Sequence, residues 1–175
     1  MNSPYFGDIL GSNSGVIAYA NKGAKNFKPS SNKIYGQYTG FKYQCVEYAR
    51  RWLIQVKSLT FKNVLWATEV WDITYLRDIH TNERISLTQH PNKSPTPPCS
   101  GNLLIYKRED NLLWGHIAII TEVSPSKEYI RIAEQNEFDH FWEGDFSREL
   151  TLIHTEKGYI IQDKYPILGW MSYSR

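Results

Sequence analysis

The sequence of 175 residues lacks most of the features that mark secreted, membrane-bound or nucleic-acid-binding proteins. It has only two cysteines, Cys45 and Cys99, which argues against a secreted scaffold held by disulfides. Its 20 basic and 18 acidic residues leave a formal charge of +2, too even for binding nucleic acid or a membrane surface through bulk charge. No apolar run reaches the roughly 18 residues of a membrane helix, and residues 1–11 do not resemble a signal peptide. We therefore expect a cytoplasmic protein without a nucleic-acid or membrane partner.

Motifs for metal and nucleotide binding are absent as well. The sequence has no HExxH, no paired CxxC and no P-loop. It therefore predicts no metal site and no cofactor, so that any catalysis has to come from side chains.

The apolar residues are present in a globular proportion, 41% of the chain, and predict one domain over residues 1–175. Residues 1–40 show no sustained period and are predicted as loops with short extended pieces. From Cys45 the apolar residues recur with a helical period, which predicts an amphipathic helix from about Gln44 to Lys57. A weaker pattern predicts a second helix over residues 64–79, and the proline-rich residues 80–101 are predicted as a surface connection.

The second half of the chain is predicted to consist of β-strands. Short β-type runs cover residues 102–107, 115–123, 128–134, 149–154, 159–162 and 167–173. The helices come first and the strands follow, joined by tight turns. This order predicts an α+β fold, with N-terminal helices packed on an antiparallel sheet.

One predicted hairpin carries a candidate site. A three-residue loop at 124–126 would place His116 directly opposite Glu134, whereas a four-residue loop would shift the register by one. A carboxylate on an apolar strand face needs a partner, and His116 is the nearest one in this register. An imidazole held on one nitrogen by a carboxylate presents the other nitrogen as a general base.

Cys45 is the candidate nucleophile. A thiol in the first turn of a helix lies near the positive end of the helix dipole, which favours the thiolate. Gln44 and Asn136 could offer side-chain N–H groups to an oxyanion. Each residue also has an ordinary structural alternative, because a helical cysteine is commonly a small buried hydrophobe and a strand histidine is commonly structural. Cysteine, histidine and carboxylate together fit a thiol amidohydrolase.

The segments YQCVEYARRWL, GHIAIITEV, RIAEQN and ILGWM resemble the CHAP (cysteine, histidine-dependent amidohydrolase/peptidase) domains. The likeness is strongest to the amidase domain of the glutathionylspermidine synthetase/amidase family, and it runs over residues 6–171. The resemblance implies a papain-like fold in which Cys45 is the nucleophile, His116 the base and then the acid, and Glu134 the residue that orients His116.

The same resemblance implies roles for three flanking residues. Gln44 and Asn136 match positions beside the site, and Arg50 matches an arginine that lies near bound substrate in this family. Arg50 is five residues after Cys45, about 140° around the helix, which places it off the face of the nucleophile. Arg51 follows Glu47 by four residues, and we interpret these two as a solvated surface pair.

The implied reaction is hydrolysis of a glutathione–polyamine amide, through a Cys45 thioester, to glutathione and polyamine. The family's ATP-dependent synthetase domain has no counterpart in this sequence, so we expect either a free-standing amidase or a part of a larger protein that supplies such a partner. The acidic and aromatic stretch at 137–146, with Glu137 and Asp139, suits a polyamine cation, although it equally fits a solvated loop.

Three other functions compete with this one. Many CHAP domains cut peptidoglycan, so a cell-wall amidase or endopeptidase is the main alternative. A non-catalytic binding module is disfavoured because Cys45, His116 and Glu134 are all present. A thiol-transfer protein would need a resolving cysteine, and Cys99 has no CxxC relation to Cys45.

Overall fold

The computed structural model describes residues 3–21 and 30–174 of the chain. Its helical segments are the α-helix α1 (Cys45–Trp52), a π-helical turn (Leu53–Lys57) and a 3-10 helix (Ala67–Asp72). Its strands are β1 (Ile9–Asn13), β2 (Val16–Tyr19), β3 (Ser31–Ile34), β4 (Gln37–Phe41), β5 (Leu59–Thr60), β6 (Tyr75–Asp78), β7 (Arg84–Ser86), β8 (Thr88–Pro91), β9 (Leu103–Tyr106), β10 (His116–Val123), β11 (Tyr129–Ala133), β12 (Arg148–Thr155), β13 (Gly158–Gln162) and β14 (Ile167–Ser172).

The fold is built on a seven-stranded antiparallel sheet in the order β13, β12, β11, β10, β9, β14, β8. The hairpins β1–β2 and β3–β4 and the small sheet β5–β6–β7 lie outside it. The α+β class and the antiparallel sheet are therefore confirmed, and the six predicted strand runs correspond to β9 to β14. In the part of the chain described here, no helix is long and apolar enough to span a membrane.

Alternation along the central strands makes both faces of this sheet apolar. On β10, Ile117 and Ile119 belong to one buried cluster, while Ala118 and Ile120 belong to a second cluster. Helix α1 packs on the first cluster through Tyr48, Ala49 and Trp52, all nearly inaccessible to solvent. A buried isoleucine contributes roughly 1.5–3 kcal/mol, so this contact anchors α1 firmly against the sheet.

The predicted first helix is confirmed in extent, with a change of helix type inside it. The α-helix covers Cys45–Trp52 and continues as a π-helical turn over Leu53–Lys57. Ser58 ends it in the left-handed region, with φ 56°, and its backbone N donates to Ile54 O. Cys45 is the first residue of α1, as predicted.

The helix predicted over residues 64–79 is wrong. Only Ala67–Asp72 is helical, as a 3-10 helix, and Tyr75–Asp78 forms strand β6 with alternating exposed and buried residues. The buried residues Val70, Ile73 and Leu76 fit a helical period by coincidence, because pairing of β6 with both β5 and β7 decides the conformation. The connection predicted at 80–101 also contains β7 and β8, and β8 pairs with β14 as the last strand of the large sheet.

The predicted register of the β10–β11 hairpin is wrong as well. The ladder pairs Ile119 with Ala133 and Ile120 with Ile132, and a bulge follows at Thr121. The loop is longer than three residues because Ser124 Oγ accepts hydrogen bonds from the backbone N of both Glu128 and Tyr129. If the ladder is extended in this register, Glu134 lies opposite Ala118. Glu134 is therefore displaced by two positions from the residue opposite His116.

Candidate active site

Cys45 lies at the wall of a cleft of about 860 Å³. Gln44 caps α1 with extended dihedrals (φ −82°, ψ 159°), and its carbonyl accepts the first helical hydrogen bond from Tyr48 N at 3.1 Å. The Cys45 side chain is 8% exposed, and it lines the cleft together with His116 and Asn136. The cleft is formed by residues from the three ranges 38–50, 63–67 and 110–116, together with Asn136.

His116 also lines the cleft, and the backbone just before it fixes its position. Gly115 has φ +66°, and a Cβ there would lie 2.8 Å from Thr68 Cβ and 2.9 Å from Tyr106 O. Only glycine fits this approach without a shift. His116 then begins β10 directly opposite Tyr106, whose ring meets the imidazole edge-on with centroids 5.3 Å apart.

Glu134 receives hydrogen bonds from four donor atoms although it is only 2% exposed. His116 Nε2 lies 2.8 Å from its Oε2, and Ser147 Oγ donates to Oε1 at 3.2 Å. Arg148 contributes the other two, from Nε to Oε1 at 2.5 Å and from Nη2 to Oε2 at 3.2 Å. Burial alone would raise the pKa of Glu134, but His116 and then Arg148 outweigh it and lower the pKa to about 2. The carboxylate is therefore ionised.

The imidazole of His116 is connected to Cys45 as well as to Glu134. Burial alone would lower the pKa of His116, but the charge of Cys45 and its hydrogen bond, followed by those of Glu134, raise the pKa to about 10. Because Nε2 faces Glu134, Nδ1 is the ring nitrogen left for Cys45. The structure thus brings together the three residues predicted as nucleophile, base and orienter.

The three successive residues 134–136 connect the sheet to the start of α1. After Glu134, the side chain of Gln135 donates to Gln44 O and accepts a hydrogen bond from Tyr19 N, while 1% of its surface is exposed. Asn136, with φ 62°, donates from Nδ2 to Gln44 Oε1 at 2.7 Å. This bond engages the oxygen of the Gln44 amide and leaves its Nε2 as the group that can donate.

The Glu47–Arg51 pair is buried, which corrects the interpretation of a solvated surface pair. Arg51 Nε lies 2.7 Å from Glu47 Oε1, with side chains 7% and 0% exposed. Glu47 also accepts hydrogen bonds from Thr39 Oγ1 and from Gln135 Nε2. A buried ion pair persists only when its remaining lone pairs are satisfied, and here the pair ties α1 to the segment that carries Glu134.

Arg50 lies in the wall of the cleft and is 2% exposed. Its Nε, Nη1 and Nη2 each donate to a backbone carbonyl, of Phe61, Thr39 and Lys62 respectively. Its guanidinium also stacks on the Phe61 ring at 4.4 Å. Burial lowers the pKa of Arg50 to about 10. These bonds build the wall of the cleft, and the sequence contained no signal for them.

Glu137 and Asp139 line a second cavity of about 720 Å³, together with Phe138, His140 and Arg148. Glu137 pairs with Lys164 at 3.3 Å, and Asp139 accepts a hydrogen bond from Asn21 N. The residues that line the cleft end at Asn136. The structure therefore does not bring these two carboxylates to the cleft of Cys45.

Arg148 and Asp163 are site residues that the sequence analysis missed. Arg148 begins β12 opposite Ile132, and its Nη1 contacts both carboxylate oxygens of Asp163 at 2.8 and 3.0 Å. The sequence did contain an indication of this role, because Arg148 alternates with the buried residues Leu150 and Leu152 and so shares their face of β12. A charged residue on the otherwise apolar face of a strand predicts a buried partner of opposite charge. Among residues 3–21 and 30–174, no three His, Cys, Asp or Glu side chains are grouped as metal ligands.

Comparisons with known proteins identify the family of this chain. The family model of the CHAP domain matches residues 35–136. Trypanothione synthetase of Crithidia fasciculata is 35% identical over 175 residues, which cover 96% of this chain and 26% of that protein. The bifunctional glutathionylspermidine synthetase/amidase of Escherichia coli (strain K12) is 33% identical over 180 residues, which cover 95% of this chain and 29% of that protein.

The chain thus spans between a quarter and a third of the length of these two relatives, 26% and 29%. The crystal structure of Ly7917 with the hydrolyzing product of MDP covers 74% of this chain and 53% of that chain with a TM-score of 0.40 and 11% identity, a distant likeness. The family match extends over more than half of the sequence and contains Cys45, His116 and Glu134. The chain therefore belongs to the CHAP domain family.

Proposed function

We propose that residues 1–175 act as a cysteine amidase that hydrolyses the amide bond of a glutathione–polyamine conjugate. The observation that carries this proposal is the arrangement around His116, which meets Glu134 through Nε2 and interacts with Cys45 on its other side. This is the combination of nucleophile, base and orienter that acyl transfer through a thiol requires.

The reaction begins with attack of the Cys45 thiolate on the amide carbonyl carbon. The C–N bond then breaks as His116 gives its proton to the departing amine, which leaves an acyl thioester on Cys45 and a neutral imidazole. A water molecule gives a proton back to His116 while its oxygen attacks the thioester carbonyl. Breaking the C–S bond releases the carboxylic acid and restores the Cys45 thiolate and the imidazolium.

The oxyanion of each tetrahedral intermediate needs fixed donors. The backbone N–H of Cys45 lies in the first turn of α1, where it has no partner within the helix. Gln44 supplies a second donor through Nε2, since Asn136 holds the amide by its oxygen. Donors fixed before the reaction stabilise the developing charge without reorganisation.

The substrate class is inferred from the relatives and from the lining of the cleft. One relative is a glutathionylspermidine synthetase/amidase, whose name states that it cleaves the conjugate it makes. The cleft of about 860 Å³ is lined by Asp110, Trp66 and Trp114, and Trp114 is 58% exposed. A carboxylate beside aromatic rings suits the ammonium groups of a polyamine through charge and cation–π contact.

The test incubates the full chain with glutathionylspermidine and, in parallel, with purified peptidoglycan, and measures the products by mass spectrometry. We expect free glutathione and spermidine, together with a mass increase on Cys45 when the reaction is quenched in acid. Cys45→Ala is the inactive control, and Cys99→Ala is the matched control because Cys99 is exposed and distant in sequence. Release of peptidoglycan fragments without cleavage of the conjugate would show that peptidoglycan, and not the conjugate, is the substrate. Turnover by Cys45→Ala would exclude the proposed mechanism.

A further inference from the structure

We propose that Arg148 is a positioning residue for this reaction, which acts through Glu134 by holding its carboxylate charged and in one orientation throughout the catalytic cycle. The inference rests on the proposed roles of Cys45, His116 and Glu134.

The contact between Arg148 and Glu134 has a fixed geometry. Nε and Nη2 of the guanidinium reach the two different oxygens of Glu134, at 2.5 and 3.2 Å. Such a planar fork matches a carboxylate in both distance and direction, which a lysine ammonium does not do. The carboxylate therefore cannot rotate away from His116 without losing two hydrogen bonds.

Arg148 is itself held in place by contacts on the side away from Glu134. Its Nη1 binds both oxygens of Asp163, and Tyr106 OH donates to Asp163 Oδ2 at 2.8 Å. The ring of Phe138 covers the guanidinium at 4.9 Å. An unbroken chain of contacts consequently runs from Asp163 through Arg148 and Glu134 to His116.

The catalytic cycle explains why this chain is needed. Glu134 is only 2% exposed, and its neighbour His116 gives up a proton to the leaving amine, so at that stage the carboxylate faces a neutral imidazole. A buried carboxylate without a cation takes up a proton or moves. A guanidinium stays protonated through the cycle, so Arg148 keeps Glu134 charged and in place when His116 is neutral.

Titratable groups surround Glu134 from several elements. They are His116 on β10, Tyr106 on β9, Arg148 on β12, Asp163 after β13, and Tyr48 and Cys45 on α1. Arg148 is the only one of these six that carries a positive charge at every stage of the cycle. Its removal is therefore expected to raise the pKa of Glu134 and to move the acidic limb of activity to higher pH.

The second cavity offers direct access to Arg148. This cavity of about 720 Å³ is lined by Arg148 itself, Phe138 and His140, and the Arg148 side chain is 14% exposed. Free guanidinium can enter the space that Arg148→Ala would leave. It would restore the fork without restoring the covalent side chain, which separates a positioning role from a merely structural one.

The experiment compares Arg148→Ala, Arg148→Lys and the matched control Arg131→Ala on glutathionylspermidine. Arg131 lies on the neighbouring strand and also binds two carboxylates, of Glu122 and Glu149, but does not contact Glu134. We expect Arg148→Ala to lower kcat by about 10²-fold with little change in KM. Millimolar guanidinium chloride, far below denaturing concentrations, should recover about tenfold of this loss, whereas sodium chloride should not. Arg148→Lys should stay low, and Arg131→Ala should match the wild type.

A second readout needs no substrate. The rate of Cys45 alkylation by iodoacetamide against pH reports the thiolate–imidazolium pair, and its acidic limb should move to higher pH in Arg148→Ala. Should this variant not fold, Arg148→Lys carries the same measurement. The proposal is overturned by wild-type kcat in Arg148→Ala, by equal losses in Arg131→Ala, or by a folded variant that guanidinium fails to restore. A wild-type protein that does not cleave the conjugate refutes the proposed substrate instead, while the alkylation profile still tests Arg148.

Discussion

His116 Nε2 lies 2.8 Å from Glu134 Oε2, although the ladder between their strands places the two residues diagonally rather than directly opposite. Diagonal neighbours on one face are about 7–8 Å apart at Cα, which a glutamate side chain spans easily. The bond engages Nε2 and leaves Nδ1 as the ring nitrogen available to Cys45. The diagonal position also leaves room beside Glu134 for Arg148, whose guanidinium donates to both carboxylate oxygens.

Cys45→Ala is expected to abolish hydrolysis and leave the fold intact. Cys45 is 8% exposed at the edge of the core, and alanine is smaller and suits the start of α1. Product formation by mass spectrometry should fall to background while the Tm stays within a few degrees. A large drop in Tm would show that the thiol is needed for packing and not only for catalysis.

Glu134→Gln should lower kcat by roughly 10²- to 10⁴-fold, because an amide cannot stabilise the imidazolium and can favour the wrong tautomer of His116. The change also leaves Arg148 without half of its carboxylate partners. Steady-state kinetics measure the effect. Glu122→Gln is the matched control, since Glu122 sits in an exposed pair with Arg131 and should retain full activity.

Acid unfolding should depend on Glu134. Its pKa is lowered from 4.5 to about 2 in the folded chain, so its contribution to stability is present above pH 4.5 and is lost as the pH falls through about 2. The Tm difference between wild type and Glu134→Gln should therefore shrink over this window. A difference that stays constant down to the lowest pH would contradict the lowered pKa.

Glu47→Gln should destabilise the fold more than any exposed ion pair. It leaves Arg51, 5% exposed, without its carboxylate partner, and breaking a buried pair costs about 3–5 kcal/mol. Urea unfolding measures this loss. The exposed pair of Arg131 with Glu122 provides the comparison, since Glu122→Gln should cost about 0–1 kcal/mol. Similar losses for both variants would show that burial does not govern the Glu47 pair.

Gln44→Ala tests the oxyanion donor. Removing one such donor costs about 10²- to 10³-fold in kcat while KM changes little. Asn136→Ala should have a smaller effect in the same direction, because it only frees the Gln44 amide that Asn136 Nδ2 holds. An effect of Gln44→Ala on KM alone would assign this side chain to substrate binding.

The sequence patterns predicted correctly those elements whose conformation depends mainly on residues close together in the chain. The start of α1 at Cys45 followed from the apolar period, and the strands from β9 to β14 followed from short β-type runs. Where two patterns competed, the prediction failed. Residues 73–78 fit a helical period, but pairing of β6 with β5 and β7 made Tyr75–Asp78 a strand. No local signal reports a pairing partner.

The sequence by itself determined which residues are available for chemistry: a cysteine at a helix start, a histidine and a carboxylate on neighbouring strands, and an antiparallel α+β framework to hold them. Only the tertiary structure decided how these residues meet. The Ser124 turn and the bulge at Thr121 set the diagonal register. The burial of Glu47 against Arg51 and the clamp of Arg148 on Glu134 likewise depend on residues distant in the chain. Charges become strongly coupled only when folding removes them from water, and this is why the sequence named the candidate catalytic residues but not the arginine that contacts Glu134.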